Sequence, residues 1–462
     1  MCAKQFFPLL ILMSAVSGLQ AQILDMRTAV TEAMLSSNQS KIADEKLVKS
    51  RAYENEQRGS LYPTVNFYAT AGRAGSAYST ATTKAILSAY QDSSHDAIAD
   101  ALDDYEFASG NAYTYGMEVS GPIYTFGKLS TAIKSAELQD QAVRLNVQQT
   151  KRDLQLSVLD AYSTAVLAKA KVGVLRRSLQ RAEETYTLLD RDFQAGKGMK
   201  SDVLVAKANL KALEPQILTA ERDANTARQN LNRLLGRPYN DDAPLDSTGA
   251  FPNLEMDPVP TRDAALANAE KNRADLQALL VSADVYDNTS QIFRANYYPT
   301  IGYAGKFGFV AYEAEQLGQW VHRDWSVGVS LNWTLFDGLG KNAANHAQAA
   351  QWKSDARVFR FQAEELRRSV AIEIDVALQD RASAEISLQA ALEGQAAAGE
   401  AVTILHANYP GSSTRLTDVL SGEDALRSAE LSVLSARFNR TRALANLRLV
   451  QGFDLIPVLE EK

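Results

Sequence analysis

Cysteine occurs once in this 462-residue chain, at position 2. Everything after Cys2 is therefore without disulfides, zinc–thiolate sites, a cysteine nucleophile or a lipidated cysteine at a processed N-terminus. Proline is scarce (12) and glycine ordinary (25), which excludes collagen-like, proline-linker and largely disordered chains. Basic charge is in deficit, with a net charge of −7, so the basic face that a nucleic-acid partner requires is missing. The histidines, His95, His322, His346 and His406, are too scattered to suggest a metal site. Gly127-Lys128-Leu129-Ser130 and Gly340-Lys341-Asn342 lack the spacing and final Ser/Thr of a phosphate-binding loop, and no dinucleotide fingerprint follows a strand. No constellation supports an enzyme, and the sequence calls for neither a cofactor nor a metal. Long hydrophobic runs are also missing. After the first two dozen residues nothing approaches the ~18 apolar residues of a spanning helix, so contact with a bilayer must be made by strands.

The first residues pair a short basic start, Lys4, with an apolar stretch from Phe6 to Val16. Small residues follow at Gly18-Leu19-Gln20-Ala21. Residues 1–21 read as a secretory signal peptide cleaved after Ala21.

The remainder repeats itself. Leu61-Tyr62-Pro63-Thr64-Val65 returns as Tyr297-Tyr298-Pro299-Thr300-Ile301, displaced by 236 positions. Ile123-Tyr124 with Gly127-Lys128 has a counterpart in Leu335-Phe336 with Gly340-Lys341. Asp202-Val203-Leu204 recurs as Asp418-Val419-Leu420, and Gly236 lands on Gly452 with the same displacement of 216. Four landmarks in one order divide the chain into a first repeat (22–240), a Pro/Asp-rich connector (241–258), a second repeat (259–452) and a tail (453–462).

Each repeat follows one plan. A helical stretch (Ile23–Gly59; Thr261–Ala295) is stopped by Tyr-Pro. Two strands with a loop between them follow, then a helical stretch of about 65 residues, a glycine-containing turn and a returning helix. Apolar residues at 3-4 spacing run from Val158 through Ala161, Ala165, Val172, Leu175, Leu179 and Leu189, and the returning helix answers with Ala206, Leu213, Ile217, Ala220 and Leu231. Such a seam packs helices side by side with a slight left-handed wind. The second repeat is more polar at matching places (Arg381, Gln395), which predicts a weaker seam. At ~1.5 Å per residue, 65 residues reach about 100 Å, a length no compact domain needs. Pro215 removes one hydrogen bond inside the first returning helix and predicts a kink.

The strands alternate instead. Val65, Phe67 and Ala69 face one way and Asn66, Tyr68 and Thr70 the other. Tyr113, Tyr115, Met117 and Val119 oppose Thr114, Gly116, Glu118 and Ser120. Ile301, Tyr303, Phe307 and Phe309 oppose Gly302, Ala304, Lys306 and Gly308, and Val327, Val329, Leu331 and Trp333 oppose Ser326, Gly328, Ser330 and Asn332. Segments of about ten residues, apolar on one face only, fit membrane-barrel strands. Aromatics at their ends fit the bilayer interfaces: Tyr62, Tyr124, Phe126, Tyr298 and Phe336 at one rim, Trp320 and Trp325 toward the other. The acidic run Asp92–Glu106 falls in the loop between the first two strands and reads as a solvated loop. Four strands cannot close a barrel, and an open edge in lipid leaves backbone groups unpaired. Copies must therefore share a wall, eight strands in a dimer or twelve in a trimer, and transport favours the trimer.

The duplicated helix–Tyr-Pro–strand–loop–strand–long helix plan, with its Gly…Asp-Val-Leu turns, resembles the TolC family of outer-membrane efflux channels over nearly the whole chain after the leader. That resemblance implies a mainly α fold with a small membrane β part: long coiled-coil-like helices forming an α-barrel, and four strands per chain joining a trimeric 12-stranded β-barrel. It implies a homotrimer in the outer membrane of a Gram-negative bacterium with a long periplasmic extension. It also implies a periplasmic adaptor (membrane fusion) protein and an inner-membrane RND-type or ABC transporter as partners, outer-membrane lipid around the strands, and no nucleic acid. The turns at Gly196 and Gly198 and at Gly411 and Ser412, with Leu204 and Leu420 just past them, then form the periplasmic tip and the adaptor-docking region. The connector becomes equatorial. Asp202 and Asp418 resemble the family's aspartates at the tunnel entrance, where rings of carboxylates hold cations and repel anions. Tyr409, Arg415 and Ser201 resemble the polar latch of the closed state. Arg415 comes one place later than the family's pattern and Ser421 stands where a second aspartate ring is expected, so the latch differs here. Each aspartate also sits in the first turn of a helix, after Ser201 or Thr417, where it complements free N–H groups and the dipole.

The expected function is a passive exit duct for small toxic compounds or drugs. The same duct serving type I protein secretion or metal export, and a periplasmic coiled-coil scaffold or adhesin without a pore, are the alternatives.

Overall fold

The computed structural model describes residues 23–74, 110–245, 258–311, 323–340, 343–409 and 415–455. The leader, the acidic run, most of the connector, Trp320, Gly411, Ser412 and most of the tail lie outside the described residues. In chain order the elements are α1 (Met26–Ser36), α2 (Asn38–Gly59), β1 (Thr64–Ala74), β2 (Gly110–Tyr124), α3 (Lys128–Gln194), α4 (Lys200–Leu235), α5 (Arg262–Asn272), α6 (Ala274–Ala295), β3 (Thr300–Ala311), β4 (Arg323–Asn332), α7 (Ala344–Asn408) and α8 (Leu416–Val450). Helix dominates, with one small sheet. None of the described helices is long and apolar enough to cross a membrane. The chain divides into two compact units. One comprises the residues up to Leu47, Val143–Ala278 and those from Gln362 onward; the other comprises Val48–Ala142 and Leu279–Phe361. Each unit draws on both sequence repeats.

The long helices match the spacing that predicts them: α3 has 67 residues and α7 has 65. Val172 and Leu175 of α3 close on Ile217 and Ala220 of α4, with Leu179 and Ala224 alongside, which is the seam read from the sequence. α4 continues as one helix through Pro215.

The first stretch of each repeat departs from expectation. It is two helices, of 11 and 22 residues in both copies. The breaks fall at Ser37 (φ −65°, ψ 143°) and Arg273 (φ −73°, ψ 113°), 236 positions apart like the Tyr-Pro landmarks. Neither glycine nor proline marks them. Ser37 turns the break into a fresh start, its Oγ accepting from the Ser40 N–H at 3.1 Å. At the second break the Arg273 guanidinium donates to Asp275 at 2.7 Å and to Glu373 at 2.5 Å. Burial pulls the Arg273 pKa down, but these carboxylates outweigh it and hold it above its ordinary value.

What lies against each break is the end of a returning helix. Gly236 ends α4 with φ 74°, and a Cβ there would sit 2.8 Å from the Ser36 carbonyl oxygen. Gly452 follows α8 with φ 81°, and its Cβ would sit 2.6 Å from the Asn272 carbonyl carbon. Both ends make the six-residue left-handed cap: the Arg237 N–H reaches the Asn232 carbonyl at 2.9 Å and the Phe453 N–H that of Arg448 at 3.1 Å. The 216-residue echo of Gly236 in Gly452 is thus a packing requirement met twice. Around the first copy, Met26, Ala29, Val30 and Ala33 of α1 bury against Leu154, Val158 and Tyr162 of α3 and Leu231 and Leu235 of α4. The Tyr162 hydroxyl donates to the Leu24 carbonyl at 2.9 Å. Around the second, Ala265 and Ala269 of α5 bury against Val370 and Ile374 of α7 and Val450 of α8.

In the other unit the strands form a single antiparallel sheet in the order β1-β2-β3-β4, one hairpin from each repeat. β2 and β3 pair at the centre, and among the described residues β1 and β4 each have a neighbour on one side only. The register joins the four alternations read from the sequence. Val65, Val119, Gly305 and Val327 stand in one row and Phe67, Met117, Phe307 and Trp325 in another, all on one face.

Candidate functional site

The chemistry-bearing residues singled out in the sequence fall in two places, one in each unit. At the α3–α4 turn, Gly196 adopts φ 74° and the Lys197 N–H closes on the Asp192 carbonyl at 2.8 Å. Gly198 packs closely on the backbone of Phe193, since a Cβ there would lie 3.2 Å from its nitrogen. Asp202 and Asp418 both occupy the first turn of their helices, α4 and α8. The N-caps are Met199 and Arg415, and neither side chain accepts a helix N–H. Ser201 is therefore not an N-cap. Its hydroxyl donates instead to Asp202 at 3.2 Å. Thr417, likewise, lies inside α8.

At this end a small cluster ties α3, α4 and α8 to Tyr409, just past the end of α7. Leu189 of α3, Val203 and Ala206 of α4 and Leu416 of α8 are buried, with Tyr186, Tyr409 and Leu420 packed on them. Leu420 is thus part of a core, whereas Leu204 stays open at 57% exposure, beside exposed Met199 and Val205. Burial pushes the Tyr409 hydroxyl above its ordinary pKa, and the carboxylates of Asp202 and Asp192 push the same way. Arg415 and Asp418 are exposed.

One residue of this end was not flagged in the sequence. Glu423 of α8 is only 7% exposed, and its Oε1 accepts from the Thr185 hydroxyl of α3 at 3.2 Å and meets His406 Nε2 of α7 at 3.0 Å. A buried carboxylate needs such partners. A lone glutamate in an otherwise unremarkable helical stretch carries no signal of this, because its partners lie 17 and 238 positions away. His406→Ala removes one of the two and is expected to destabilise the protein by about 1–3 kcal/mol. The effect reads as a lower urea midpoint with unchanged slope, which His406→Gln largely restores; an unmoved midpoint for His406→Ala would contradict it.

The second place is the sheet. Its apolar face is open: Phe67, Met117, Phe307, Trp325, Val327, Val329 and Leu331 are all exposed, Val327 at 80%. The aromatics of its ends are exposed as well, including Tyr62, Tyr124, Phe126, Tyr298, Trp333 and Phe336. Phe126 stacks on Tyr298 with centroids 6.1 Å apart and meets Tyr124 edge-on at 4.6 Å. Trp333, just past the end of β4, donates its indole N–H to the Tyr297 carbonyl at 2.9 Å. Exposed apolar side chains clustered in this way on one sheet face mark a surface that meets lipid or another chain. The opposite face carries Asn66, Glu118, Lys306 and Ser326 in one row. Among the described residues no group of His, Asp or Glu side chains is placed to hold a metal ion.

Comparison with known proteins bears on both places. A family model described as "Outer membrane efflux protein" matches residues 19–237 and 265–452. The alkaline protease secretion protein AprF of Pseudomonas aeruginosa is 25% identical over 360 residues, covering 74% of this chain and 70% of that protein. Among solved structures, the Campylobacter jejuni CmeC outer membrane channel superposes with a TM-score of 0.76 at 17% identity, over 94% of this chain and 87% of its own. The open state of the Neisseria gonorrhoeae MtrE outer membrane channel superposes with a TM-score of 0.72 at 22% identity, over 94% and 90%.

Proposed function

The chain belongs to the outer membrane efflux protein family, and from that premise we propose that it is the outer-membrane exit duct of a tripartite pump, conducting small toxic compounds passively from the periplasm to the outside. The observation that carries this reading is the sheet: among the described residues it has four strands, two edges without a neighbour and one apolar face that is largely exposed. In lipid such edges must be covered, and three copies supply twelve strands and a bore. Exposed apolar residues along one side of α7, Ile372, Val376, Ile386 and Ile404, support the same assembly, since one chain leaves them uncovered. An adaptor docks on the tip formed by the turns at Gly196, Gly198, Gly411 and Ser412, with Leu204 as its apolar contact, and an inner-membrane RND-type or ABC transporter supplies the energy. Residues 1–21 direct export and are removed, and the connector at 241–258 lies at the equator.

In this reading Asp202 and Asp418 form carboxylate rings at the periplasmic entrance, and Tyr409 and Ser201 hold Asp202 in the closed state, with Arg415 nearby. Replacing both aspartates by alanine is expected to raise single-channel conductance in planar bilayers and to abolish block by multivalent cations; unchanged currents and unchanged block would reject the gate. The duct itself is tested by fractionation and bilayer recording. Heat-modifiable trimers in the outer-membrane fraction that conduct are expected, whereas a freely soluble, non-conducting protein would favour a scaffold.

A second reading, protein secretion, is favoured by the similarity to a protease secretion protein over 74% of this chain. A deletion strain separates the two: loss of drug tolerance supports efflux, and loss of a secreted protein with tolerance unchanged supports secretion.

A further inference from the structure

The face of the sheet turned away from the apolar band holds three charges among the described strand residues: Glu118 on β2, Lys306 on β3 and Asp324 on β4. Their placement follows from register alone. Lys306 lies directly opposite Glu118 across the β2–β3 ladder and directly opposite Ser326 across the β3–β4 ladder. Asp324 is one same-face position away, opposite Gly308. The Lys306 ammonium stands 3.7 Å from the Glu118 carboxylate, and both remain partly exposed, Lys306 at 49% and Glu118 at 31%. Around them the same face carries mostly small or uncharged side chains, Thr64, Ser120, Ala304 and Gly328 in the neighbouring row and Asn66 and Ser326 in their own. No other described charge on this face competes with them.

Resting on the channel reading above, we infer that Lys306 sets the ion preference of the β-barrel bore, by offsetting one of the two carboxylates that each chain presents to it. In a closed barrel this row becomes a ring at which every permeating ion passes, and the wall behind it is lipid-backed and of low dielectric. Each chain contributes two carboxylates and one ammonium, so the ring is weakly cation-preferring. Lys306→Gln doubles the net negative charge per chain, Glu118→Gln cancels it, and the double substitution returns it to the starting value. The aspartates at the tip are the same in all four proteins, so differences between them report the strand row.

The test is reversal-potential measurement on purified, bilayer-inserted protein under a KCl gradient, for wild type, Lys306→Gln, Glu118→Gln and the double variant. At ~0.1 M salt, where the Debye length is about 10 Å, Lys306→Gln is expected to raise the cation-to-anion permeability ratio at least about twofold and Glu118→Gln to lower it about as much. The double variant should match wild type, and the differences should shrink at ~1 M, where screening falls to about 3 Å. Single variants that conduct with the wild-type ratio, or a double variant that departs from it, would overturn the assignment. A wild-type protein that inserts but carries no current would instead sink the channel reading on which it rests. Should one single variant fail to insert, the other single variant and the double still decide the matter, since the single is expected to depart from the wild-type ratio and the double to keep it.

Discussion

Gly452→Ala is expected to destabilise the protein by about 2–4 kcal/mol, the combined effect of left-handed backbone strain and a contact that cannot be accommodated. The backbone at Gly452 has φ 81°, and the new Cβ would fall 2.6 to 2.8 Å from the carbonyl carbon and oxygen of Asn272 and the nitrogen of Arg273. All three are main-chain atoms, so no side chain can swing aside. The Asn272 carbonyl is also fixed from another direction, since it accepts from Arg152 at 3.0 Å. Gly127→Ala is the control. Its φ is 86°, but nothing lies within 4 Å of the added Cβ. Only the conformational strain of roughly 1–2 kcal/mol applies there. Chemical unfolding of the two variants beside wild type measures the difference. Equal losses at both positions would show that strain alone matters and that the contact with the α5–α6 break does not. Gly236→Ala, with a Cβ 2.8 Å from the Ser36 oxygen, should behave like Gly452→Ala.

Adjacent residues on β4 are expected to respond in opposite ways to the same charge. Val327 belongs to the exposed apolar face and Ser326 to the polar one. An arginine in the lipid-facing wall near the bilayer midplane costs about 2–4 kcal/mol, while one facing the bore remains hydrated. Val327→Arg should therefore lower the stability of vesicle-inserted protein by about that amount and reduce the yield of inserted protein. Ser326→Arg should leave both close to wild type and alter only ion preference. The free energy of folding into lipid vesicles, from urea titration, gives the comparison. A well-tolerated Val327→Arg beside a damaging Ser326→Arg would invert the faces and with them the assignment of the bore.

These experiments probe features that were unequally visible in the sequence. The alternation in all four strands is set by the two-residue period of extended chain, and a one-residue slip would put Val65, Val119 and Val327 on different faces. Their common row in the sheet follows from that constraint. The pairing of Val172 and Leu175 with Ile217 and Ala220 was equally open to reading, because it repeats every three to four residues over a long span. The helix breaks were not. Ser37 and Arg273 carry no local signal that outweighs the helical pattern on either side, and the one visible clue, glycine at 236 and 452, lies some 180 to 200 residues away along the chain. Glu423 was hidden for the same reason, its partners being on two other helices.

By itself the sequence determined the periodic elements, the duplicated plan and the existence of one apolar strand face, since each depends on residues that are neighbours in the chain. Only the tertiary structure decided where the short helices divide, which turn residues pack and which stay open, and which charges share a row. Those outcomes depend on contacts across long separations, where local preference is weak: the backbone approach of Gly236 to Ser36 decides one, and the ladder register that sets Lys306 opposite Glu118 decides another.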